Sequence, residues 1–312
     1  MGNKDITDFN EAQLRKRAAS KEELNICLTN NYAFQKIFKN EEIVKGFLIA
    51  LLHLKETDIE ELEVTDPFVE GEVKEEKEGI LDVKLILNGG KKINIEMQNT
   101  YQEDWAERSL FYNCRMFTEG LKKGESYYEL PPCIHVGILD FNYLKSPGFY
   151  HRILLKDDTT GELYSSKFQF HVIELSKIAT TKGKARKQDL YKWAKLISAS
   201  TWEEIREESE GNHYMEKVRD EMIKMSRDES ERYLYLREQM AIRDKASQLR
   251  SAENRGRREG ELLKIQKKIQ KNKELHQIAD EVEEEVIKIQ PIYEVIKEHP
   301  EADKEEIYKM LK

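Results

Sequence analysis

Two carboxylates and an amide stand out in the run ILDVKLILNGGKKINIEMQ, residues 80–98: Asp82, Glu96 and Gln98. Apolar and polar residues alternate on both sides of Asn88, Gly89 and Gly90, which predicts strands at 80–87 and 91–98 joined as a hairpin. Leu81, Val83, Leu85 and Leu87 share one face of the first strand, and Ile93, Ile95 and Met97 share one face of the second. Both sets must reach the same core. A three-residue loop with a glycine at positive φ then pairs Leu87 with Lys91, Leu85 with Ile93, Val83 with Ile95 and Leu81 with Met97.

In that register Asp82 lies opposite Glu96, with Cβ atoms about 4.5 to 5.5 Å apart. Both carboxylates can reach one hard cation at the roughly 2.0 to 2.1 Å distances that magnesium requires, and their repulsion favours binding one. Gln98 shares their face, where its amide could meet a metal-bound water or a phosphate oxygen. The spacing also allows a plainer account. Asp82, Lys84, Asn94, Glu96 and Gln98 would be the solvated side of the hairpin, with Lys84 offsetting the repulsion.

The surrounding pattern says what must position these residues. Residues 22–55 give helical spacing interrupted near Asn40, 63–68 read as a further strand, and 104–123 read as a helix ending before Gly124. IHVGILDF, 134–141, is apolar and short, as expected of a strand covered on both faces, and more strand pattern follows at 149–155 and 163–175. From about Lys187 the pattern is helical, with no glycine or proline between 212 and 255. This order predicts an α/β core with a mixed central sheet flanked by helices over residues 1–180. Residues 181–312 would be a helical, highly charged region, a candidate coiled coil for assembly into a homo-oligomer.

Of the 312 residues 39% are hydrophobic and 36% charged, with a formal net charge of -8. That balance argues against bulk coating of nucleic acid or of an anionic membrane, and leaves room for a local basic surface. No apolar run suits a leader peptide or a membrane span, so a soluble, cytoplasmic protein is expected. Cys27, Cys114 and Cys133 lack any CxxC spacing and read as core thiols, and His135 and His171 as strand residues in packing or surface roles rather than metal ligands.

The passage from DPFVEGEV through GILDVK and NIEMQNTYQEDWAERSLFYNCRMF to IHVGILDF, with NNYAFQKIF upstream, resembles the recombination-promoting nuclease and transposase family of the PD-(D/E)XK nuclease superfamily, over roughly residues 28–175. The resemblance implies a restriction-endonuclease-like core and DNA cleavage dependent on Mg2+, with Mn2+ as a substitute. It places metal-binding acids at Asp82 and Glu96. The superfamily's lysine falls on Gln98, a replacement that relatives in this family also show, and Asn31 stands where family members usually carry an acid. The alternative is a weakened nuclease fold kept as a DNA-binding or protein-interaction module.

Candidate DNA contacts near the hairpin are Asn31, Gln102, Arg108 and Tyr112, the last two being four apart on one helix face. Farther along, TKGKARKQDLYKWAK is the densest basic stretch and contributes Lys182, Lys184, Arg186 and Lys187. A solvated helix start explains that stretch equally well, and Trp193 reads as core.

Overall fold

The computed structural model describes residues 11–20, 24–65, 68–69, 79–80, 82–119, 121 and 124–311. Helices α1 (Glu11–Ala18), α2 (Asn31–Phe38) and α3 (Glu41–Leu52) lead into β1 (Leu62–Thr65), short strands β2 (Phe68–Val69) and β3 (Gly79–Ile80), and strands β4 (Val83–Leu87) and β5 (Lys91–Gln98). Helix α4 (Trp105–Thr118) crosses to β6 (Cys133–Leu139), followed by β7 (Tyr150–Lys156) and β8 (Leu163–Glu174). Helices α5 (Asp189–Ser198), α6 (Trp202–Ser209), α7 (His213–Arg227), α8 (Glu229–Gln270), α9 (Leu275–Glu281), α10 (Val286–Glu298) and α11 (Lys304–Met310) complete the chain. None of the described helices is long and apolar enough to cross a membrane.

The sheet has six strands in the order β1-β4-β5-β6-β8-β7, with β5, β6 and β8 parallel and the other pairs antiparallel. The hairpin keeps the predicted register: Val83 pairs with Ile95, Leu85 with Ile93 and Leu87 with Lys91. Asn88 and Gly89 turn the chain at φ 49° and 67°. The Leu81 pairing lies outside the described residues. All seven residues of β6 are buried, as its unbroken apolar run requires of a strand covered on both faces.

The hairpin's apolar face and its polar face are both covered. Val83, Leu85, Ile93, Ile95 and Met97 are buried, and so are Lys84, Asn94, Glu96 and Gln98. Of the five residues expected on a solvated side, four are buried and Asp82 is half-buried. Helix α4 lies over the polar face and seals it at its C-terminal end. There Lys92 Nζ donates to the carbonyls of Met116 and Glu119 (3.0 and 2.7 Å), while Lys84 Nζ pairs with Glu119 Oε1 at 2.7 Å. Lys84 therefore offsets Glu119 and not the Asp82–Glu96 repulsion.

The compact unit containing the sheet extends to Gln239, past the boundary expected at residue 180. Aromatic packing carries it beyond the last strand. Trp193 of α5 meets Phe38 and Phe47 edge-on at ring distances of 6.2 and 5.6 Å, so α5 shares the core of α2 and α3. Helix α7 packs on α3, where Tyr214 lies against Gly46. The chain also breaks at Asp228, whose Oδ1 accepts the Glu231 N–H and caps α8, a stop that the absence of glycine and proline had hidden. Beyond it, α8 buries Arg232, Tyr235 and Leu236, is exposed from Arg243 to Arg258, and then contributes Leu262 and Ile265, which join Ile278, Ile289, Tyr293, Ile296 and Ile307 in the core of a second compact unit, residues 240–312. The predicted charged tail thus carries a core of its own. Cys133 is buried as expected, whereas Cys114 is exposed on α4.

Replacing a helical glycine by alanine ordinarily stabilises a protein by about 0.5 to 1 kcal/mol. At Gly46 the sign reverses, because an added Cβ would stand 2.3 Å from Tyr214 Cβ and Cγ. Gly46→Ala is expected to lower unfolding stability by about 1 to 3 kcal/mol in a urea titration. A variant more stable than the native chain would show that α3 and α7 do not meet there.

Candidate active site

Asp82, Glu96 and Gln98 converge, by a route slightly different from the predicted one. The β4–β5 ladder ends at Val83 and Ile95, and Asp82 occupies the bend just before β4. Its side chain takes over from the backbone: Oδ2 accepts the Met97 N–H at 2.9 Å, and Oδ1 accepts from Gln35 Nε2 of α2 at 2.9 Å. Asp82 therefore ties the end of β4 to β5 and to the first helix of the core at once. Glu96 remains its electrostatic neighbour.

The Glu96 side chain is only 2% exposed. Three donors converge on its Oε1: Arg108 Nε at 3.0 Å, Arg108 Nη2 at 2.8 Å and Gln98 Nε2 at 2.7 Å. Oε2 accepts none, although it is buried. The nearest cationic candidate on that side is His135 Nε2 at 3.6 Å, too long for a hydrogen bond, and that nitrogen also lacks a partner. Burial pushes the His135 imidazole below its ordinary range, which disfavours its charged form beside Glu96. Of the packing and surface roles open to it, His135 takes packing in the sheet, held at Nδ1 by Asn94 at 3.2 Å, and its place beside Glu96 was not anticipated.

The elements that hold this geometry are specified by small details. Parallel pairing sets Glu96 beside Gly137 on β6, and a Cβ there would fall 2.3 Å from Trp105 Cζ2. Glycine lets the first residue of α4 settle on the sheet. The start of α4 is held by Tyr143, whose hydroxyl accepts the Ala106 N–H and donates to the Glu103 carbonyl, both at 3.3 Å. Tyr143 is itself fixed by buried Glu174, whose Oε1 accepts its backbone N–H at 2.6 Å while Lys177 Nζ holds Oε2 at 2.6 Å. From there α4 presents Arg108 and, one turn on, Tyr112, whose ring lies 4.9 Å beneath the guanidinium carbon.

The other predicted contacts separate into near and far. Asn31 opens α2 one turn before Gln35, on the same helix face, and its buried Oδ1 has no donor. Gln102 sits in the turn entering α4, its carbonyl accepting the Trp105 N–H. Lys182, Lys184 and Arg186 are exposed, and Arg186 Nε donates to the Thr181 carbonyl at 2.6 Å. The Lys187 side chain lies outside the described residues. No hydrogen bond or ion pair joins this basic segment to Asp82 or Glu96 among the described residues, and Trp193 is buried rather than available for stacking. Sequence reasoning missed Gln35, although its position four residues after Asn31 could have pointed to it.

The arrangement suits a hard cation. No group of three His, Cys, Asp or Glu side chains able to hold a metal occurs among the described residues. Magnesium needs fewer: it commonly takes one or two carboxylates and keeps waters or phosphate oxygens for the rest. Asp82 and Glu96, whose Oε2 has no donor, would hold it.

A mixed six-stranded sheet flanked by helices is an α/β architecture of the PD-(D/E)XK type. Within that class, this chain belongs to the PD-(D/E)XK nuclease family transposases, whose family model matches residues 28–252. No curated protein matches the chain, and no solved structure does.

Burial first, and then the charge of Glu96, push the Asp82 carboxyl from its ordinary 3.8 up to about 7, against the pull of its Met97 and Gln35 hydrogen bonds. A value raised on folding means that the stability Asp82 contributes is present below 3.8 and is lost as pH rises through about 7. In EDTA, native protein should therefore melt lower at pH 8 than at pH 5.5. Asp82→Asn, with the Gln35 amide reversed to accept from it, should flatten that slope and melt about 2 to 5 °C higher at pH 8. An unchanged slope in the variant would remove Asp82 as its source.

Proposed function

We propose that this protein is a DNA endonuclease of the recombination or transposase type, hydrolysing phosphodiester bonds with Mg2+, or Mn2+ in its place. The observation that carries this reading is the Asp82–Glu96 pair, in which the buried Glu96 Oε2 has no protein donor although Oε1 has three. A buried carboxylate oxygen left bare is costly unless something outside the chain meets it. Family membership supports a nuclease and, with it, DNA as substrate.

The cation would polarise the scissile phosphate and acidify a bound water. The chain's residues set the stage. Asp82, braced by Met97 and Gln35, and Glu96, braced by Gln98 and Arg108, present oxygens from the bend before β4 and from β5, which the hydrogen bond from Met97 to Asp82 ties together. Gln98 orients Glu96 through its Nε2, which leaves its own carbonyl oxygen to accept from a water; unlike lysine it adds no charge. The weakened-module reading draws on one feature, the ion pair between Arg108 and Glu96, which neutralises one of the two acids.

Plasmid nicking separates the two. Asp82→Ala and Glu96→Ala should each reduce Mg2+-dependent cleavage to background. Gln98→Ala should slow it roughly tenfold, the worth of about one hydrogen bond in the transition state. Cleavage at the native rate by either acid variant would sink the assignment, and a native protein that binds plasmid without nicking it would establish the weakened module instead.

A further inference from the structure

Arg108 stands in an unusual place for a residue expected to contact DNA. Its Nε and Nη2 both donate to one oxygen of Glu96, at 3.0 and 2.8 Å, instead of forking across the two carboxylate oxygens. The guanidinium thus sits to one side of the carboxylate and leaves the buried Oε2 without a donor. Its side chain is 34% exposed, and the Tyr112 ring supports it at 4.9 Å. It is held from below and free toward solvent.

Charge decides what such a cation does. With both acids ionised, Asp82, Glu96 and Arg108 sum to one negative charge. A divalent cation turns that to one positive, and a phosphate diester restores neutrality. Arginine does not lose its proton in proteins, so its charge cannot be removed to make room; only its position can change. Before a cation arrives, Arg108 relieves Asp82–Glu96 repulsion; afterwards, it is repelled by the cation and attracted to the phosphate.

We propose that Arg108 is the resident counter-cation of the Asp82–Glu96 pair, releasing Glu96 when a divalent cation binds and swinging about the Tyr112 ring to hold the phosphate backbone of the DNA. The inference rests on the cation-dependent reading above. It makes Arg108 the chain's own source of the positive charge that Gln98 does not supply, and links phosphate capture to cation occupancy. Only a protein with its cation bound has this arginine free.

The test needs no catalysis. Mn2+ is titrated calorimetrically into native protein, Arg108→Met and Arg108→Lys without DNA, with melting curves in EDTA confirming that each variant folds. Removing a unit charge about 6 Å from a divalent cation in a water-like dielectric should tighten binding roughly tenfold, so Arg108→Met should bind Mn2+ about tenfold more tightly than the native chain. Arg108→Lys, which keeps the charge, should stay within about threefold of native, as one conserved monovalent charge requires. In Ca2+, Arg108→Met should bind a duplex oligonucleotide roughly tenfold more weakly, the effect of losing one charged phosphate contact. Equal or weaker Mn2+ binding by Arg108→Met would overturn the inference, since an arginine that merely positions Glu96 can only help the cation. Absence of Mn2+ binding by the native protein would overturn the underlying reading, a failure visible before any variant is made.

Discussion

Everything at this site depends on burying the carboxylate of Glu96 in the middle of a sheet. An ionised carboxylate taken from water into the interior loses several kcal/mol of solvation, returned only by close donors and opposite charge. β5 supplies one donor, Gln98, from its own face; the rest must come from α4. The position of α4 is therefore not free to drift. Trp105 against Gly137 fixes its beginning, the lysines of β4 and β5 fix its end through Glu119, and Arg108 lies between.

Asp82 is secured by a different set of elements. It lies where β4 gives way to a bend, and its oxygens hold Met97 on one side and Gln35 on the other. Helix α2 thus belongs to the site as much as to the core. It is braced in turn by distant sequence: Tyr32 donates to Glu231 at 2.6 Å, Ser226 exchanges hydrogen bonds with the backbone of Leu24, and the Cys27 N–H donates to the Tyr235 hydroxyl. The segment just before α2 is pinned by the end of α7 and the start of α8. Together with the aromatic packing of α5, this carries the compact unit past the last strand to Gln239.

How much of this was legible in the sequence follows from where the information is local. Alternation and a three-residue loop fix the hairpin register, because a one-residue slip would expose an entire apolar face. The same alternation cannot say what covers the other face. Lys84, Asn94, Glu96 and Gln98 read as polar in either case, and only the crossover helix, placed by Gly137 and Glu119, shows that they are buried. Likewise Arg108 and Tyr112 were correctly put on one helix face, while the partner of Arg108 was not readable, since nothing in the spacing of α4 says which strand residue lies beneath it. The break at Asp228 escaped because a capping side chain can stop a helix without glycine or proline.

The replacement of the superfamily's lysine by Gln98 gains meaning from this burial. A lysine beside Glu96 would bring a flexible point charge to the carboxylate from within the same strand. Here the charge comes from α4 instead, through a planar guanidinium resting on an aromatic ring, while the strand provides a neutral amide that hydrogen-bonds the same oxygen. The two donors share Oε1 and leave Oε2 bare, an asymmetry that a single lysine would not impose. A site arranged this way separates the group that shapes the carboxylate from the group that carries charge. Only the second has a solvent-facing side and an aromatic support on which to turn.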